Sequence, residues 1–256
     1  MSPIAKPRIR TSRVNGLIEN SIIASLLAAE YKSISPIVER VNLECGDVVY
    51  RANRRIEAVY FPEDAVVAVV DRLADGRTVE VGTIGREGML GLNIFLAGIV
   101  SPDKAIVLLS GAAIKIKSAD LQRELSLGTP LRRLLLAYAR TFLSLISQSV
   151  ACCQHHTIQQ RLARWLLTIN DYSCGREILM VQKSIAEMLG ARRAGITEAA
   201  GELQSANLIS YRRGRIKILD KARLGKSSCE CYRFIRQEYT RLHAPERQLA
   251  YRKRPG

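Results

Sequence analysis

The stretch Gln182–Asp220, "QKSIAEMLGARRAGITEAAGELQSANLISYRRGRIKILD", decides how this chain is read. Its first part carries apolar residues at helical spacing and ends on Gly190, the residue type best suited to the left-handed turn that closes a helix. A second helix is predicted beyond it, in which Ile196, Ala199, Ala200 and Leu203 fall at i, i+3, i+4 and i+7 and form the core stripe. The opposite side carries Ala194, Thr197, Glu198 and Gly201, with Arg193 on the N-terminal flank. Ala199 and Ala200 are small where helices pack. Ala194 and Gly201 are small on the outside, where packing does not require it. Residues Leu208–Asp220 then give two short β-like runs around "RRGR", a hairpin tipped by Arg212, Arg213 and Arg215. Helix, turn, helix and basic hairpin in this order make a winged helix–turn–helix.

Such a module puts the N-terminal end of its second helix into the DNA major groove, while the first helix and the wing hold phosphates. Arginine suits both tasks, because its planar fork matches guanine O6/N7 and its charge releases counterions from the backbone. The expected base readers are Arg192, Arg193, Thr197 and Glu198; the expected phosphate contacts are Gln182, Lys183, Arg212, Arg213 and Arg215. The formal net charge of +15 is unevenly placed. Residues 1–16 carry four basic and no acidic side chains, residues 17–169 carry 17 and 15, and residues 170–256 carry 18 and 9. A near-neutral body with a basic C-terminal third calls for a polyanion, the plain alternative being a solvated basic surface.

Upstream of this module the pattern is helical and long. Leu131, Leu135, Tyr138, Phe142, Leu145, Ser149, Cys152 and His156 are separated alternately by four and three residues, a heptad seam that asks for a second helix. Parallel pairing of two chains is the sharper expectation, and packing on the preceding domain is the alternative. The run Leu134–Cys153 is the nearest approach to a membrane span, but it contains Arg140 and several hydroxyl or amide side chains, so a buried helix is expected. Before it, "DVVY", "AVYF", "AVVAVV", "VEVGTI" and "AIVLLS" are short β-like runs broken by Gly, Pro and Asp, with Asp75–Gly76 a suitable hairpin turn. They predict a compact β-roll or jelly roll. A short helical pattern with Ile18, Ile22, Ile23, Leu26 and Leu27 precedes them.

The expected organisation is therefore α+β: a basic flexible arm at 1–16, a β-roll at 17–125, a dimerisation helix and hinge at 126–170, a winged helix–turn–helix at 171–240 and a basic tail at 241–256. No secretory signal is visible at the N-terminus, and six cysteines without a CxxC pair read as reduced cytoplasmic thiols. Jelly rolls host metal-dependent oxygenases, which need two histidines and a carboxylate. All three histidines here (His155, His156 and His243) lie outside the β-roll, so an enzyme is not expected. In "CCQHH", Cys152, His155 and His156 sit on adjacent turns and offer zinc or haem ligands, or in Cys152 a disulfide between two copies. The plainer expectation is a small buried thiol with hydrogen-bonded imidazoles. "CEC" (Cys229–Cys231) has the wrong spacing for a zinc knuckle and reads as structural, as do Tyr232, Phe234 and Tyr239 in a terminal helix.

The run "RLARWLL … SIAEMLGARRAGITEAAGELQSANLISYRRGRIKILD" resembles the C-terminal part of Crp/Fnr-type bacterial transcription regulators. "YFPEDAVVAVVDRLADGRTVEVGTIGREGMLGL" resembles their cyclic-nucleotide-binding-like β-roll. The resemblance spans about residues 20–235 and implies a homodimer joined by the long helix. Nucleotide-binding members carry a Gly-Glu pair and an Arg-Ser/Thr-Ala; here Gly91 is followed by Leu92, and Lys104–Ala105 is preceded by Asp103. A phosphate without its arginine fork is poorly held, so cyclic-nucleotide binding is not expected. Only Cys45 lies in the first 150 residues, too few for the N-terminal iron–sulfur cluster of Fnr-like members. Well-studied members read bases through Arg-Glu and an Arg four residues on; Arg193 is retained, but Ala194 and Glu198 stand at the other two positions. A guanine opposite Arg193 is expected, and Glu198 is suited to accept from a cytosine amino group or to orient an arginine.

The expected partners are double-stranded DNA, a second copy of the chain and RNA polymerase, in the cytoplasm, with no membrane and no cofactor. The effector is unassigned, with cyclic-nucleotide, redox or gas response as alternatives. An RNA-binding winged helix is the rival reading, and it predicts shape- or single-strand-selective binding rather than a two-fold symmetric duplex site.

Overall fold

The computed structural model describes residues 11–12, 17–26, 28–96 and 98–242. The expected N-terminal arm and basic tail, with His243, lie almost wholly outside these residues, as does Leu27. Two short helices, α1 (Ser21–Ala24) and α2 (Ala28–Ile34), lead into the strands. One four-stranded antiparallel sheet has the order β1 (Thr11–Ser12), β2 (Val38–Leu43), β10 (Gly111–Lys117), β5 (Ala58–Pro62). A second has the order β3 (Val48–Tyr50), β9 (Lys104–Leu109), β6 (Val66–Arg72), β7 (Thr78–Ile84). A small pair, β4 (Arg54–Arg55) with β8 (Val100–Ser101), and a helical turn, α3 (Leu92–Phe95), complete the β-roll. β6 and β7 turn at Asp75–Gly76, where Gly76 takes φ +87°.

The apolar runs are nearly continuous because the strands are covered on both faces. On β6, Val67 and Val69 join the cluster holding Val41, Tyr60 and Val107, while Val66, Ala68 and Val70 join a second cluster with the helices. β5 divides the same way, with Ala58 and Tyr60 on one side and Val59 and Phe61 on the other.

After α4 (Ser118–Ser126), the long helix α5 (Pro130–His155) crosses the β-roll. A run of three glycines in and after β7 seats this helix and the one that follows it. A Cβ built on Gly82 would lie 2.9 Å from the Phe142 ring, one on Gly85 2.4 Å from that of Tyr172, and one on Gly88 2.6 Å from the Tyr138 hydroxyl. The Tyr138 hydroxyl also donates to the Met89 carbonyl at 3.2 Å. These aromatic rings fill the space that side chains at the three positions would take.

This seat corrects the expected dimer seam. Leu131, Leu135, Tyr138 and Cys152 are fully buried within the chain, and Phe142, Leu145 and Ser149 are half-buried. The heptad stripe is real, but its cover is the chain's own β-roll and C-terminal helices. Cys152, offered by the sequence as a disulfide partner for a second copy, is buried within the chain and lies 3.6 Å from Cys229 Sγ. The outer face of α5 exposes a different row, Leu136, Leu143 and Val150, each one heptad apart. α5 is long and apolar enough by length and composition to cross a membrane, yet its inner face is packed on protein.

The chain then bends into α6 (Ile158–Tyr172), opened by a capping box in which Thr157 and Gln160 satisfy each other's backbone N–H groups. α6 packs on α8 (Arg193–Ser205) and α9 (Lys221–Ser227), so the C-terminal domain starts at this bend rather than at residue 171. α7 (Gln182–Leu189) and a three-stranded sheet of β11 (Ile178–Leu179), β13 (Arg215–Ile218) and β12 (Ile209–Arg212) follow. The last helix, α10 (Cys231–Leu242), returns against α5, where the buried Glu238 faces Arg140 at 3.7 Å. Tyr239 is buried and Tyr232 and Phe234 are half-buried, in keeping with structural roles.

Gly85→Ala is expected to lower stability by about 1–3 kcal/mol, because a Cβ there would lie 2.4 Å from the buried Tyr172 ring, which packs edge-on to Tyr239 at 6.0 Å and must shift to admit it. Urea unfolding measures it, and an unchanged midpoint would show that the seat yields freely.

Candidate nucleic-acid interface

α7 ends on Gly190 at φ +57°, whose N–H caps the Ala186 and Glu187 carbonyls while the Ala191 N–H returns to the Ala186 carbonyl. The Arg161 guanidinium from α6 donates to the Leu189 carbonyl, a cation placed at the negative end of α7. α8 then starts with Arg192 as its N-cap. Ile196, Ala199, Ala200 and Leu203 are buried, as their spacing requires. The glycines of α8 differ from one another. A Cβ on Gly195 would approach Ile158 to 2.6 Å, so Gly195 serves close helix packing, whereas Gly201 has nothing within 4 Å.

Arg192, Arg193, Thr197 and Glu198 are all exposed. The Thr197 hydroxyl donates to Gln182 Oε1 at 2.8 Å and lies 3.0 Å from the Arg193 carbonyl, so the starts of α7 and α8 are tied together. Gln182, Lys183, Arg193 and Arg213 line one open groove of about 400 Å³, with Tyr211 and Gly214. Arg192 lines an adjoining groove between α7–α8 and the β6–β7 hairpin, which Lys183 and Arg193 also border together with Leu73, Arg77 and Val79. Of the wing arginines, Arg212 and Arg213 are exposed without an ion pair among the described residues, whereas Arg215 lies 3.4 Å from Glu177. Tyr211, absent from the sequence expectations, locks the wing: its hydroxyl donates to the Met180 carbonyl at 2.8 Å, and its N–H donates to Gln204 Oε1 at 2.7 Å.

β12 and β13 pair Arg212 with Arg215, which leaves Arg213 and Gly214 as a two-residue turn. Both are left-handed, at φ +49° and +77°. That is the turn hairpins favour, but its first position normally belongs to Asn, Asp or Gly.

The C-terminal domain is held to the β-roll by α7 on β7 and by a hydrogen bond from Trp165 Nε1 to Glu80 Oε2 at 2.8 Å. Burial raises the Glu80 pKa against the opposing hydrogen bonds from Thr83 and Trp165 and the nearby Arg164. In the β-roll, Asp103 stands near the Ser101 hydroxyl, where its N–H donates at 3.3 Å; burial and Asp71 raise its pKa.

A helix–turn–helix with a basic wing is thus carried on a long helix beside a β-roll. Residues 160–227 match the Crp-like helix-turn-helix domain family. Beyond those residues, the fold is similar to that of several solved structures described as Crp/Fnr-family regulators. It is similar to FixK2 from Bradyrhizobium japonicum (TM-score 0.63, 17% identity, covering 75% of this chain and 98% of that one). It is also similar to a CRP-family transcriptional regulator from Thermus thermophilus (0.59, 16%, 73% and 95%). A third similar structure is the c-di-GMP responsive global regulator CLP from Xanthomonas campestris (0.59, 16%, 76% and 100%). No curated protein matches the sequence.

Replacing Arg213 by Gly is expected to raise the stability of the free protein by roughly 1 kcal/mol, since the left-handed cost of a non-glycine residue is removed. Thermal unfolding tests this, and a lower melting temperature would mean that the Arg213 side chain itself holds the wing.

Proposed function

We propose that the chain is a homodimeric, sequence-specific DNA-binding transcription regulator that acts without a cyclic nucleotide. The observation that carries the reading is the shared groove of Gln182, Lys183, Arg193 and Arg213, in which the start of α8, the start of α7 and the wing converge. Arg193 from this groove, with Arg192, Thr197 and Glu198 exposed at the start of α8, reads base edges. Lys183, Gln182, Arg212, Arg213 and Arg215 hold phosphates, Arg215 after leaving Glu177. Two copies pair through the exposed row Leu136, Leu143 and Val150, a heptad repeat with no cover inside the chain. The dimer then sets two winged helices on successive major grooves roughly 34 Å apart.

Two features support independence from cyclic nucleotides. By the resemblance, Asp103 stands at the position where nucleotide-binding members carry the phosphate-holding arginine, and a carboxylate there would repel the ligand. Leu92 stands in place of a ribose-binding glutamate. RNA polymerase as partner and the cytoplasm as location follow from the same reading.

Selection from random duplex DNA, with and without cyclic AMP, tests it. A palindromic motif enriched without nucleotide is the expected result. Enrichment only with cyclic AMP would overturn the reading of Leu92 and Asp103, and a single-stranded or RNA preference would overturn the duplex reading. Against the selected site, Arg193→Ala is expected to cost about 1–3 kcal/mol and relax one position, whereas Arg213→Ala weakens all duplexes alike. Leu143→Glu is expected to give monomers in sedimentation, with the fold intact by circular dichroism. A persisting dimer would move the interface off α5.

A further inference from the structure

The C-terminal end of α5 and the junction between α9 and α10 bring four soft donors together. Cys152 lies in the last turn of α5 and His156 is its C-cap, while Cys229 lies just before α10 and Cys231 opens it; their ligand atoms all lie within 4.8 Å of one another. The three cysteines are buried, at 0%, 3% and 1% exposure, in a cluster of their own apart from the apolar core. From these residues we infer that the chain holds one structural zinc ion, bound by Cys152, His156, Cys229 and Cys231.

The spacing fits a single tetrahedral ion. Zinc–sulfur bonds of about 2.3 Å and zinc–nitrogen bonds of about 2.0 Å give tetrahedral edges of roughly 3.7 Å between sulfurs and 3.5 Å between sulfur and nitrogen. Cys152 Sγ lies 3.6 Å from Cys229 Sγ, and Cys231 Sγ lies 3.6 Å from His156 Nδ1. Three thiolates and one imidazole form a closed donor set of the structural zinc type. The compact spacing leaves room for one ion and not for a multi-iron cluster.

The surrounding groups are those that orient zinc ligands. Glu230 Oε1 lies 3.1 Å from His156 Nε2, which leaves Nδ1 turned to the thiols, the arrangement of a carboxylate–histidine–zinc triad. Gln148 Nε2 donates to Cys231 Sγ at 3.1 Å, a hydrogen bond suited to a thiolate. Binding displaces the three thiol protons to solvent, leaves His156 neutral and gives the centre a net charge of −1. His155 and Cys153, also in the "CCQHH" run, are exposed and take no part.

The ion would pin the bend between α5 and α6 to the start of α10, so it fixes how the winged helix hangs from the long helix. The two halves of the site are far apart in sequence and only the fold joins them.

The test uses the full chain, purified without chelator, with zinc measured by elemental mass spectrometry and the site probed by cobalt(II) substitution. One zinc per chain and the intense visible bands of tetrahedral cobalt with thiolate charge transfer are expected. Glu230→Gln, a change at an exposed positioning residue, is expected to weaken zinc binding by roughly 10–100-fold without unfolding the protein. Cys229→Ser and Cys231→Ser are expected to lose the ion, and Cys45→Ser and Cys174→Ser to keep it. Three results would each overturn the inference: no zinc bound by the folded wild type in excess metal, an octahedral cobalt spectrum, or full zinc retention in both Cys229→Ser and Cys231→Ser. A Cys152–Cys229 disulfide in freshly prepared reduced-cell protein, two hydrogens lighter by mass, would also replace the metal site with a redox pair.

Discussion

The structure depends on aromatic rings seated over a backbone stripped of side chains. Gly82, Gly85 and Gly88 fall three residues apart, and each lies under one ring, of Phe142, Tyr172 and Tyr138 respectively. Without side chains there, the backbone of β7 and the loop after it lets the helices approach closely, and the rings fill the gap with large apolar surface. Tyr138 and Phe142 are stacked at 5.9 Å, and Tyr172 meets Tyr239 of α10 edge-on. One short segment therefore fixes the long helix, the first helix of the C-terminal domain and, through Tyr239, the last. The placing of the recognition helix follows from that seat, because α6 carries α8.

The same seat explains why a correct pattern gave the wrong partner. The four-and-three spacing from Leu131 to Cys152 states that one face of α5 is covered; spacing alone does not say by what. The glycine run that receives the rings was present in "VEVGTIGREG", but a glycine marks a close approach only once the approaching group is known. Once Tyr138 and Leu135 turn inward, the row Leu136, Leu143 and Val150 necessarily faces out on the other side of the helix. Two apolar stripes on one helix are what a scaffold with two neighbours needs.

Local patterns were the legible part. The Asp75–Gly76 hairpin, the core stripe of α8, the glycine turn at Gly190 and the arginine-tipped wing are all set by a few adjacent residues, so periodicity and turn chemistry reach them. The illegible part is non-local. The bond from Trp165 to Glu80 spans two domains, as does the packing of Gly190 against Val79. In the sequence the Cys/His cluster is two unrelated motifs, since neither Cys152–His156 nor Cys229–Cys231 has the spacing of a complete site. Only the return of α10 along α5 joins them.

The wing shows where local preference is overruled. A two-residue turn of this kind would be more stable with Asn or Gly at position 213, and an arginine is held there in the left-handed region. Nothing among the described residues pairs with its guanidinium, so no contact inside the chain repays the backbone cost. Arg212 beside it is also exposed and unpaired, while Tyr211 anchors the hairpin's base through Met180 and Gln204. A rigid base under a strained, unpartnered cationic tip is a local rule broken without a gain in the free chain, and such breaks concentrate where a protein meets its ligand. The tip and Arg193 border the same groove. The strain at Arg213 thus points to the same polyanion as the excess of basic over acidic residues in the C-terminal third, and it does so from the backbone instead of from charge.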